Sequence, residues 1–304
     1  MEKVGIVVPC FNENNAIIRF IDELEKVLGG LHYEFHLIIV DDASTDDTVQ
    51  LLIQKQFESR NIHFRLIRLK YNQGHQGAIY QGLRFAKEMD CQKVIVMDGD
   101  GEDDPAGIPE LLKHDDAEIV HVKRGKRSEG FLFRFLYRIY KLSFLLVTGK
   151  VLEFGNYCLI NRRVLETAVS RSFISFPAFL LKTKALKKSI TLNRRKRLDG
   201  KSKMSINGLI YHGFRSYSEF AEEFILFMLK LAIVLADLFL VSIGYIVYEK
   251  LFTDRAILGW ASTLSAAFFN SALISFGFFF TGIVLLNLYH KSERDKQDHF
   301  EIIR

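Results

Sequence analysis

The sequence predicts an α/β protein with a mostly parallel sheet and flanking helices, and three observations lead to that class. Short β-branched runs recur along the first half, near Val4, Phe35, Phe64, Lys93 and Glu118. Apolar residues at helical spacing lie between these runs. A polar cluster follows each of the first four runs. Strands that alternate with helices form βα units, so we expect the strands to lie in one sheet.

Length and composition set the class of protein. The chain has 304 residues, of which 49% are apolar and 25% charged. It is therefore too apolar for a disordered chain and allows one large domain or two smaller units. Three widely spaced cysteines argue against a disulfide framework and fit a reducing compartment. The first residues lack an apolar leader, so we expect no cleavable signal peptide.

The positive charge is local. The net charge is +5, yet the stretch 182–203 alone holds ten basic residues and one acidic residue. No zinc-ligand spacing, RNA-binding signature or basic-region helix accompanies this stretch, so nucleic acid is not an expected partner. A membrane surface is the better partner.

Two apolar stretches, 224–248 and 264–289, are long enough to cross a bilayer as helices. The first contains only Lys230 and Asp237 as charged residues, and the second contains none. Two buried globular helices are the alternative, but continuous apolarity without a polar face favours lipid. A carboxylate at mid-membrane costs about 3 kcal/mol, so we expect Asp237 to face another helix or subunit. Lysine and arginine flank the pair, so the positive-inside rule predicts a hairpin with both termini cytoplasmic.

Two further segments, 131–147 and 205–223, mix aromatic and apolar residues with cations. Each is either an interfacial helix in the headgroup region or an amphipathic helix packed on the sheet. The predicted organisation is an α/β domain over 1–204, a juxtamembrane helix over 205–223, the hairpin over 224–289 and a cytoplasmic tail over 290–304.

The polar clusters are candidate ligand-binding loops, because open α/β sheets bind ligands beyond the carboxyl ends of their strands. In chain order they are Pro9-Cys10-Phe11-Asn12-Glu13, Asp41-Asp42-Ala43-Ser44, Asn72-Gln73-Gly74-His75-Gln76-Gly77 and Asp98-Gly99-Asp100-Gly101-Glu102. Any one of them alone is equally typical of a turn or a helix cap. Their joint placement favours a site.

The fourth cluster indicates a divalent cation. Asp98, Asp100 and Glu102 occupy alternate positions, so an extended segment would point three carboxylates to one side. Carboxylates held this close need a cation, and hard oxygen ligands select Mg²⁺ or Mn²⁺. Such an ion would bridge diphosphate oxygens and stabilise a leaving nucleotide. Gly74 and Gly77 would let backbone N–H groups approach a phosphate, or would form a turn without a ligand.

The ordered motifs resemble those of a known family. They are V-V-P-C-F-N-E, V-D-D-A-S-T-D-D-T, N-Q-G-H-Q-G-A-I-Y-Q-G-L, M-D-G-D-G-E-D-D-P, R-G-K-R and R-L-D-G-K-S-K-M. This order resembles the family 2 glycosyltransferases of GT-A fold, and is similar to the polyprenyl-phosphate group that includes dolichyl-phosphate mannosyltransferase and the bacterial undecaprenyl-phosphate glucosyltransferases. Gly259-Trp260-Ala261-Ser262 looks like the bacterial members' two-helix C-terminus, so the resemblance covers the whole chain. It implies a bacterial inner-membrane protein and a homo-oligomer.

The resemblance also implies roles for individual residues. Pro9, Glu13 and Asp42 would hold the nucleoside, with Asp42 toward the base, and Asn12, Gly74 and Gln76 would complete the donor site. Asp98 and Asp100 would be the D-x-D motif, and Glu102, where Gln is usual, would reach the metal. Gly101 stands where Leu is common, and Asn156 where many relatives have Asp. The residues that would face the acceptor phosphate are Arg124, Arg127, Arg134, Arg197, Ser202 and Lys203.

The chemistry of the acceptor agrees with this basic set. A phosphate monoester has a second pKa near 6, so at neutral pH it is mostly dianionic and is itself the nucleophile. The site then needs cations rather than a strong general base, and arginine forks with a lysine suit that task. The alternative for Lys182, Lys184, Lys187 and Lys188 is a solvated basic face without a ligand.

The predicted function is the inverting transfer of one sugar from a nucleotide-diphosphate sugar, UDP-linked, to polyprenyl phosphate at the cytoplasmic leaflet. A processive polysaccharide synthase is disfavoured, because the chain lacks a Q-x-x-R-W motif and its one Trp is Trp260. A membrane scaffold that has lost turnover is disfavoured by the presence of Asp98, Asp100 and Arg197.

Overall fold

The computed structural model describes residues 1–124, 131–192, 195–198, 206–224 and 300–303, together with single residues and pairs between 226 and 288. The strands are β1 (Lys3–Cys10), β2 (Glu34–Asp41), β3 (Ile62–Leu69), β4 (Lys93–Val96), β5 (Ile119–Arg124), β6 (Phe154–Asn161), β7 (Lys187–Leu192) and β8 (Phe300–Ile302). The helices are α1 (Ile17–Gly29), α2 (Thr48–Gln54), α3 (His75–Glu88), α4 (Ile108–Leu112), α5 (Phe131–Thr148), α6 (Arg162–Arg171), α7 (Phe176–Lys182) and α8 (Ile206–Ser218). The α/β prediction is confirmed.

The described strands form one mixed sheet in the order β7-β5-β6-β4-β1-β2-β3-β8. The pairs β1–β2, β1–β4, β2–β3 and β5–β7 are parallel. Strand β6 runs antiparallel to both β4 and β5. Because β1, β2 and β4 are parallel neighbours, their carboxyl ends meet at one edge of the sheet and bring three of the polar clusters together.

Both faces of the sheet are covered, which explains the nearly continuous apolar runs of the central strands. One face of β1, including Val4, Ile6 and Val8, packs with helices α1, α2 and α4. The other face, including Val7, packs with α3, α6 and α7. The period of two along each strand therefore divides its side chains between two cores.

A third apolar cluster joins α5 to α8. Phe144 of α5 lies among Tyr217, Phe220 and Phe224, which end α8 and follow it. Phe280 stacks on Phe224, with ring centroids 4.3 Å apart. The predicted amphipathic segments are thus both helical, and each has one face packed within the protein. The outer face of α5 exposes a stripe of apolar residues at helical spacing, namely Phe135, Ile139, Leu142 and Leu146.

The last residues of the chain return to the sheet. Strand β8 pairs antiparallel with β3, from Ile67 opposite Ile302 to Leu69 opposite Phe300. The N–H of Ile303 donates to the carbonyl of Leu66 at 2.9 Å. The predicted tail 290–304 therefore contributes a strand that covers an edge of the α/β domain.

The predicted spans 224–248 and 264–289, with Asp237, lie mainly outside the described residues. Within the described part of the chain, no single helix is long and apolar enough to cross a membrane. The helices Arg162–Arg171 and Phe176–Lys182 would together be long and apolar enough, but the chain bends by 114° between them.

Candidate active site

The clusters after β1 and β2 are tied into one surface by hydrogen bonds. The N–H of Asn12 donates to Ser44 Oγ at 2.9 Å, and Asn12 Oδ1 accepts from the Thr45 N–H at 2.8 Å. The N–H of Glu13 donates to Thr48 Oγ1 at 2.9 Å. Asn12 has a left-handed backbone, with φ of 55°, which is sparsely populated outside glycine. Pro9 lies in β1 opposite Val40, directly before this surface.

Asp42 joins the second cluster to the third. It follows β2, is 3% exposed, and accepts the Gln73 N–H on Oδ1 at 2.7 Å. Burial raises the pKa of Asp42 to about 6, although hydrogen bonds from the backbone of Gln73 and Gly74 oppose the rise. A carboxylate that loses its charge so near neutrality is typical of a binding position.

The third cluster begins helix α3. Gly74, with φ of 76°, precedes the first residue of the helix, and nothing lies within 4 Å of the place where a Cβ would stand. Gln76 is buried, and protein groups engage both ends of its amide. Its Oε1 accepts the Phe176 N–H at 2.5 Å, and its Nε2 donates to Asn156 Oδ1 at 3.1 Å. Gln76 thus fixes the positions of Phe176 and Asn156 beside the site.

His75 lies where the third and fourth clusters meet. Its Nε2 is 2.9 Å from Asn156 Nδ2 and 3.2 Å from Asp98 Oδ1. Partial desolvation of the ring opposes protonation of His75, but the charge and hydrogen bond of Asp98, with the charges of Asp100 and Asp103, outweigh it, so the pKa of His75 is raised. A single ring nitrogen cannot accept from Asn156 while donating to Asp98. Nε2 of His75 therefore donates to Asp98 when it carries a proton and accepts from Asn156 when it does not.

The loop after β4 that holds Asp98, Asp100 and Glu102, which we call the acidic loop, is in contact with the cation of Arg197. Arg197 Nη2 lies 3.0 Å from Asp100 Oδ2, and Arg197 Nε lies 3.3 Å from Glu102 Oε1. The Asp98 N–H donates to Asp103 Oδ2 at 2.9 Å, which fixes the start of the loop. Asp98 Oδ1 lies 3.2 Å from His75 Nε2.

The three predicted metal ligands fit Mg²⁺ or Mn²⁺ in chemistry, since all are hard carboxylate donors. In the structure, Asp98 contacts His75, whereas Asp100 and Glu102 contact Arg197. Among the residues that the structure describes, no group of three or more His, Cys, Asp or Glu side chains is placed to hold a metal ion.

Sequence reasoning missed Arg195 and Glu23. Arg195 forms a forked ion pair with Glu23 of α1, with Nη1–Oε2 and Nη2–Oε1 distances of 2.5 and 3.2 Å. This contact joins residues far apart in the chain and holds the segment of Arg197 against the domain. The only signal was an arginine two positions before Arg197 in a basic run.

The remaining predicted acceptor residues are described only in part. Arg124 ends strand β5 and Arg134 lies in α5, but their side chains are outside the described residues. Arg127, Ser202 and Lys203 lie outside them entirely. The structure therefore brings Arg197 to the acids and leaves the other five as expectations.

The first lysines of the basic stretch contact the protein itself. Lys187 Nζ donates to the Leu181 carbonyl at 2.7 Å, and Lys188 Nζ lies 2.5 Å from Asp116 Oδ2. Lys182 Nζ donates to the Glu219 carbonyl at 3.1 Å. Lys182 ends α7, and Lys187 and Lys188 begin the edge strand β7, so these lysines have contacts within the fold.

This fold and this site define a glycosyltransferase. The chain belongs to glycosyl transferase family 2, whose family model matches residues 5–189. It is similar to an uncharacterized glycosyltransferase, YkcC, of Bacillus subtilis, with 25% identity over 93% of this chain and 85% of the relative. It is also similar to the undecaprenyl-phosphate 4-deoxy-4-formamido-L-arabinose transferase of Yersinia pestis, with 27% identity over 69% of this chain and 65% of the relative.

Solved structures share the fold. Glucosyl-3-phosphoglycerate synthase from Mycobacterium tuberculosis, in complex with Mn²⁺, UDP-glucose and phosphoglyceric acid, superimposes with a TM-score of 0.54. The match covers 73% of this chain and 79% of that one at 15% sequence identity. The GT-A architecture predicted from the motifs is confirmed.

Proposed function

We propose that the protein transfers a single sugar, with inversion, from a UDP-linked sugar to polyprenyl phosphate at the cytoplasmic face of a bacterial inner membrane. The observation that carries the proposal is the 3.0 Å contact between Arg197 Nη2 and Asp100 Oδ2. It brings a cation suited to an acceptor phosphate beside a carboxylate suited to the divalent ion of a donor diphosphate. Transfer to an acceptor that is itself a phosphate needs these two binding sites close together.

The donor side is supported by the joined clusters after β1, β2 and β3. Asp42 would accept a hydrogen bond from the base, and its N–H donates to the carbonyl of Cys10, in the cluster that also holds Asn12 and Glu13. The structural neighbour solved with UDP-glucose and Mn²⁺ has the same fold, which supports a nucleotide-sugar donor and a divalent ion.

The acids of the loop after β4 would hold that ion. Asp98, Asp100 and Glu102 offer oxygen donors, and an ion bound there supplies positive charge to the departing diphosphate. Two further residues have roles in the transfer. Arg197 orients and desolvates the acceptor phosphate. His75, beside Asp98, donates a hydrogen bond to the sugar or the diphosphate.

The transfer balances without a general base. An oxygen of the acceptor phosphate dianion supplies the electron pair for a new bond to the anomeric carbon. The bond from that carbon to the nucleotide oxygen breaks, and the nucleotide diphosphate leaves with the pair. Attack from the face opposite the leaving group inverts the configuration.

The membrane face is supported by α5. The exposed stripe of Phe135, Ile139, Leu142 and Leu146 fits the acyl boundary, and Arg138 and Lys141 lie beside it to meet lipid phosphates. The relative named as an undecaprenyl-phosphate transferase supports a polyprenyl acceptor. The predicted hairpin over 224–289 would keep both termini on the cytoplasmic side.

The test is the mass of the lipid products. Membranes that contain the protein are incubated with polyprenyl phosphate, Mn²⁺ and a panel of nucleotide sugars, and lipids are analysed by mass spectrometry. We expect one polyprenyl monophosphate sugar, at least 100-fold reduced in Asp100→Asn because the leaving group loses its stabilisation. Glu88→Gln removes an exposed carboxylate elsewhere and is the matched control.

Undiminished transfer in Asp100→Asn would exclude the metal mechanism. Products with more than one sugar would indicate a processive synthase. Metal-dependent binding of a nucleotide sugar without any lipid product would indicate a scaffold instead of an enzyme.

A separate experiment tests on which side of the membrane the C-terminus lies. A cysteine placed after Arg304 should react with a membrane-impermeant maleimide only after the inner membrane is permeabilised. Labelling in intact spheroplasts would place the C-terminus on the outer side and contradict the proposed hairpin.

A further inference from the structure

Residues 195–198, which we call the arginine strap, run alongside the acidic loop. The Arg195 N–H donates to the Glu102 carbonyl at 3.2 Å, and the Leu198 N–H donates to the Asp100 carbonyl at 3.1 Å. The strap therefore pairs with the loop through its backbone. Arg197 lies between the two paired residues.

Side chains fix both ends of the strap. Arg195 is held by Glu23, and its Nη1 lies 3.6 Å from Asp104 Oδ1. Arg19 of α1 donates from Nη2 to the Leu198 carbonyl at 2.8 Å. These contacts position the strap independently of Arg197.

The loop is shaped to accept the strap. Gly101 has φ of 82°, and a Cβ at that position would lie 2.4 Å from Leu198 Cγ. Leu198 also packs against the apolar core that contains α1. A glycine between Asp100 and Glu102 thus lets Leu198 lie on the loop, which brings Arg197 to both carboxylates.

The ion pairs of Arg197 are partly shielded from water. The side chains of Arg197, Asp100 and Glu102 are 24%, 12% and 14% exposed. Charges in such positions are screened less than surface charges, so the attraction between Arg197 and the two carboxylates is stronger than that of an exposed ion pair. Arg197 therefore supplies a close positive charge to both Asp100 and Glu102.

We propose that Arg197 is the resident counter-cation of the acidic loop, and that a divalent ion competes with it for Asp100 and Glu102. The guanidinium and the ion cannot both occupy these oxygens, because like charges would then be in contact. Binding of the ion with the donor therefore releases Arg197, which becomes available to the acceptor phosphate. This inference rests on the proposed function, since it assumes that the acids bind a divalent ion.

The test measures Mn²⁺ binding directly, by electron paramagnetic resonance of free Mn²⁺ on the purified full-length protein without a donor. Removal of the competitor in Arg197→Gln should tighten Mn²⁺ binding about tenfold. Arg197→Lys keeps a charge but lacks a fork that reaches both carboxylates, so it should fall between Arg197→Gln and wild type. Arg60→Gln removes an exposed arginine remote from the loop and should leave the affinity unchanged.

A variant of Glu23, the residue that anchors Arg195, tests the position of Arg197 separately from its charge. Glu23→Gln leaves the carboxylates and Arg197 intact but weakens the hold of Arg195, so Mn²⁺ should bind about threefold more tightly. Unchanged affinity in Glu23→Gln would show that the anchor does not hold Arg197 in place.

Equal or weaker Mn²⁺ binding in Arg197→Gln would overturn the competition. Absence of Mn²⁺ binding in every variant would overturn it together with the metal role in the proposed function. The lipid-product assay reports on the transfer separately, so product formation with unchanged Mn²⁺ affinity in Arg197→Gln would refute this inference and leave the proposed function standing.

Discussion

The backbone N–H of Phe176 donates to Oε1 of Gln76, at 2.5 Å across 100 residues of sequence. A backbone N–H can only donate, so this bond fixes which end of the Gln76 amide is oxygen. The Nε2 end then donates to Asn156 Oδ1, and Asn156 in turn directs its Nδ2 to His75. Helix α7 thereby sets the orientation of side chains that reach the candidate active site.

Loss of this buried amide should destabilise the protein. Gln76→Ala leaves the Phe176 N–H and Asn156 Oδ1 without their partner in a buried place, so we expect a loss of about 3 kcal/mol in the free energy of unfolding. Urea denaturation followed by fluorescence measures it. Gln54→Ala, at an exposed position, is the control and should change stability by less than about 0.5 kcal/mol. A loss in Gln76→Ala as small as in the control would show that the amide does not hold α7.

Donor binding should weaken in acid because of Asp42. Burial raises the pKa of this carboxyl to about 6, so the ionised form that accepts a hydrogen bond from a base is lost as pH falls through 6. UDP-glucose has no phosphate monoester and therefore no second ionisation near that pH. Its affinity should fall up to about tenfold for each pH unit below 6, measured by calorimetry between pH 5 and 8.

Two variants check the source of that pH dependence. Asp42→Asn keeps an oxygen for the Gln73 N–H but cannot titrate, so its weaker affinity should be flat over the same range. Asp47→Asn removes an exposed carboxylate in the same loop and should keep the wild-type profile. The same decline in Asp42→Asn as in wild type would assign the titration to another group.

Much of the fold was predictable because local pattern and tertiary role agree in its first half. Strands β1 to β5 begin within two residues of the predicted starts at Val4, Phe35, Phe64, Lys93 and Glu118. Strands β6, β7 and β8 were not predicted. Strand β7 lies at the edge of the sheet and carries lysines, so its sequence reads as a charged surface, and β8 is a short segment within a polar tail.

The site was predictable as a set of loops but not as a set of contacts. The rule that parallel strands end at one edge correctly brought Asp42, Asp98 and Asn12 near one another. The pairing of Arg197 with Asp100 and Glu102, and of Arg195 with Glu23, depends on where the chain returns after β7. No spacing in the sequence encodes that return, so the acids were assigned to a metal alone.

Gly101 should tolerate alanine less well than a glycine of similar backbone. Gly101 and Gly149 both have a positive φ, at 82° and 67°, where a Cβ costs about 1–2 kcal/mol. A Cβ at Gly101 would in addition meet Leu198, whereas nothing lies within 4 Å of one at Gly149. We expect Gly149→Ala to cost about 1 kcal/mol and Gly101→Ala about 2–3 kcal/mol in unfolding free energy. Equal costs would mean that Leu198 does not rest on the loop.

His121 should make the protein sensitive to acid. It is 2% exposed in β5 and stacks on Phe154, and neither ring nitrogen has a hydrogen-bond partner in the described part of the chain. Burial, with the positive charges of Lys187 and Lys123, lowers its pKa to about 3. Between pH 6.5 and 3 the unfolded state therefore binds a proton that the folded state excludes. Stability should fall as pH decreases through this range, by at most about 1.4 kcal/mol per pH unit from this residue.

His121→Phe keeps the aromatic stack and removes the titration. Its free energy of unfolding, measured by urea denaturation at pH 7 and pH 5, should fall less on acidification than that of wild type, by about 1–2 kcal/mol. His32→Gln, at an exposed histidine, should fall as wild type does. If wild type and His121→Phe lose the same stability between the two pH values, His121 is able to take up its proton in the folded protein, and the stack on Phe154 does not exclude it.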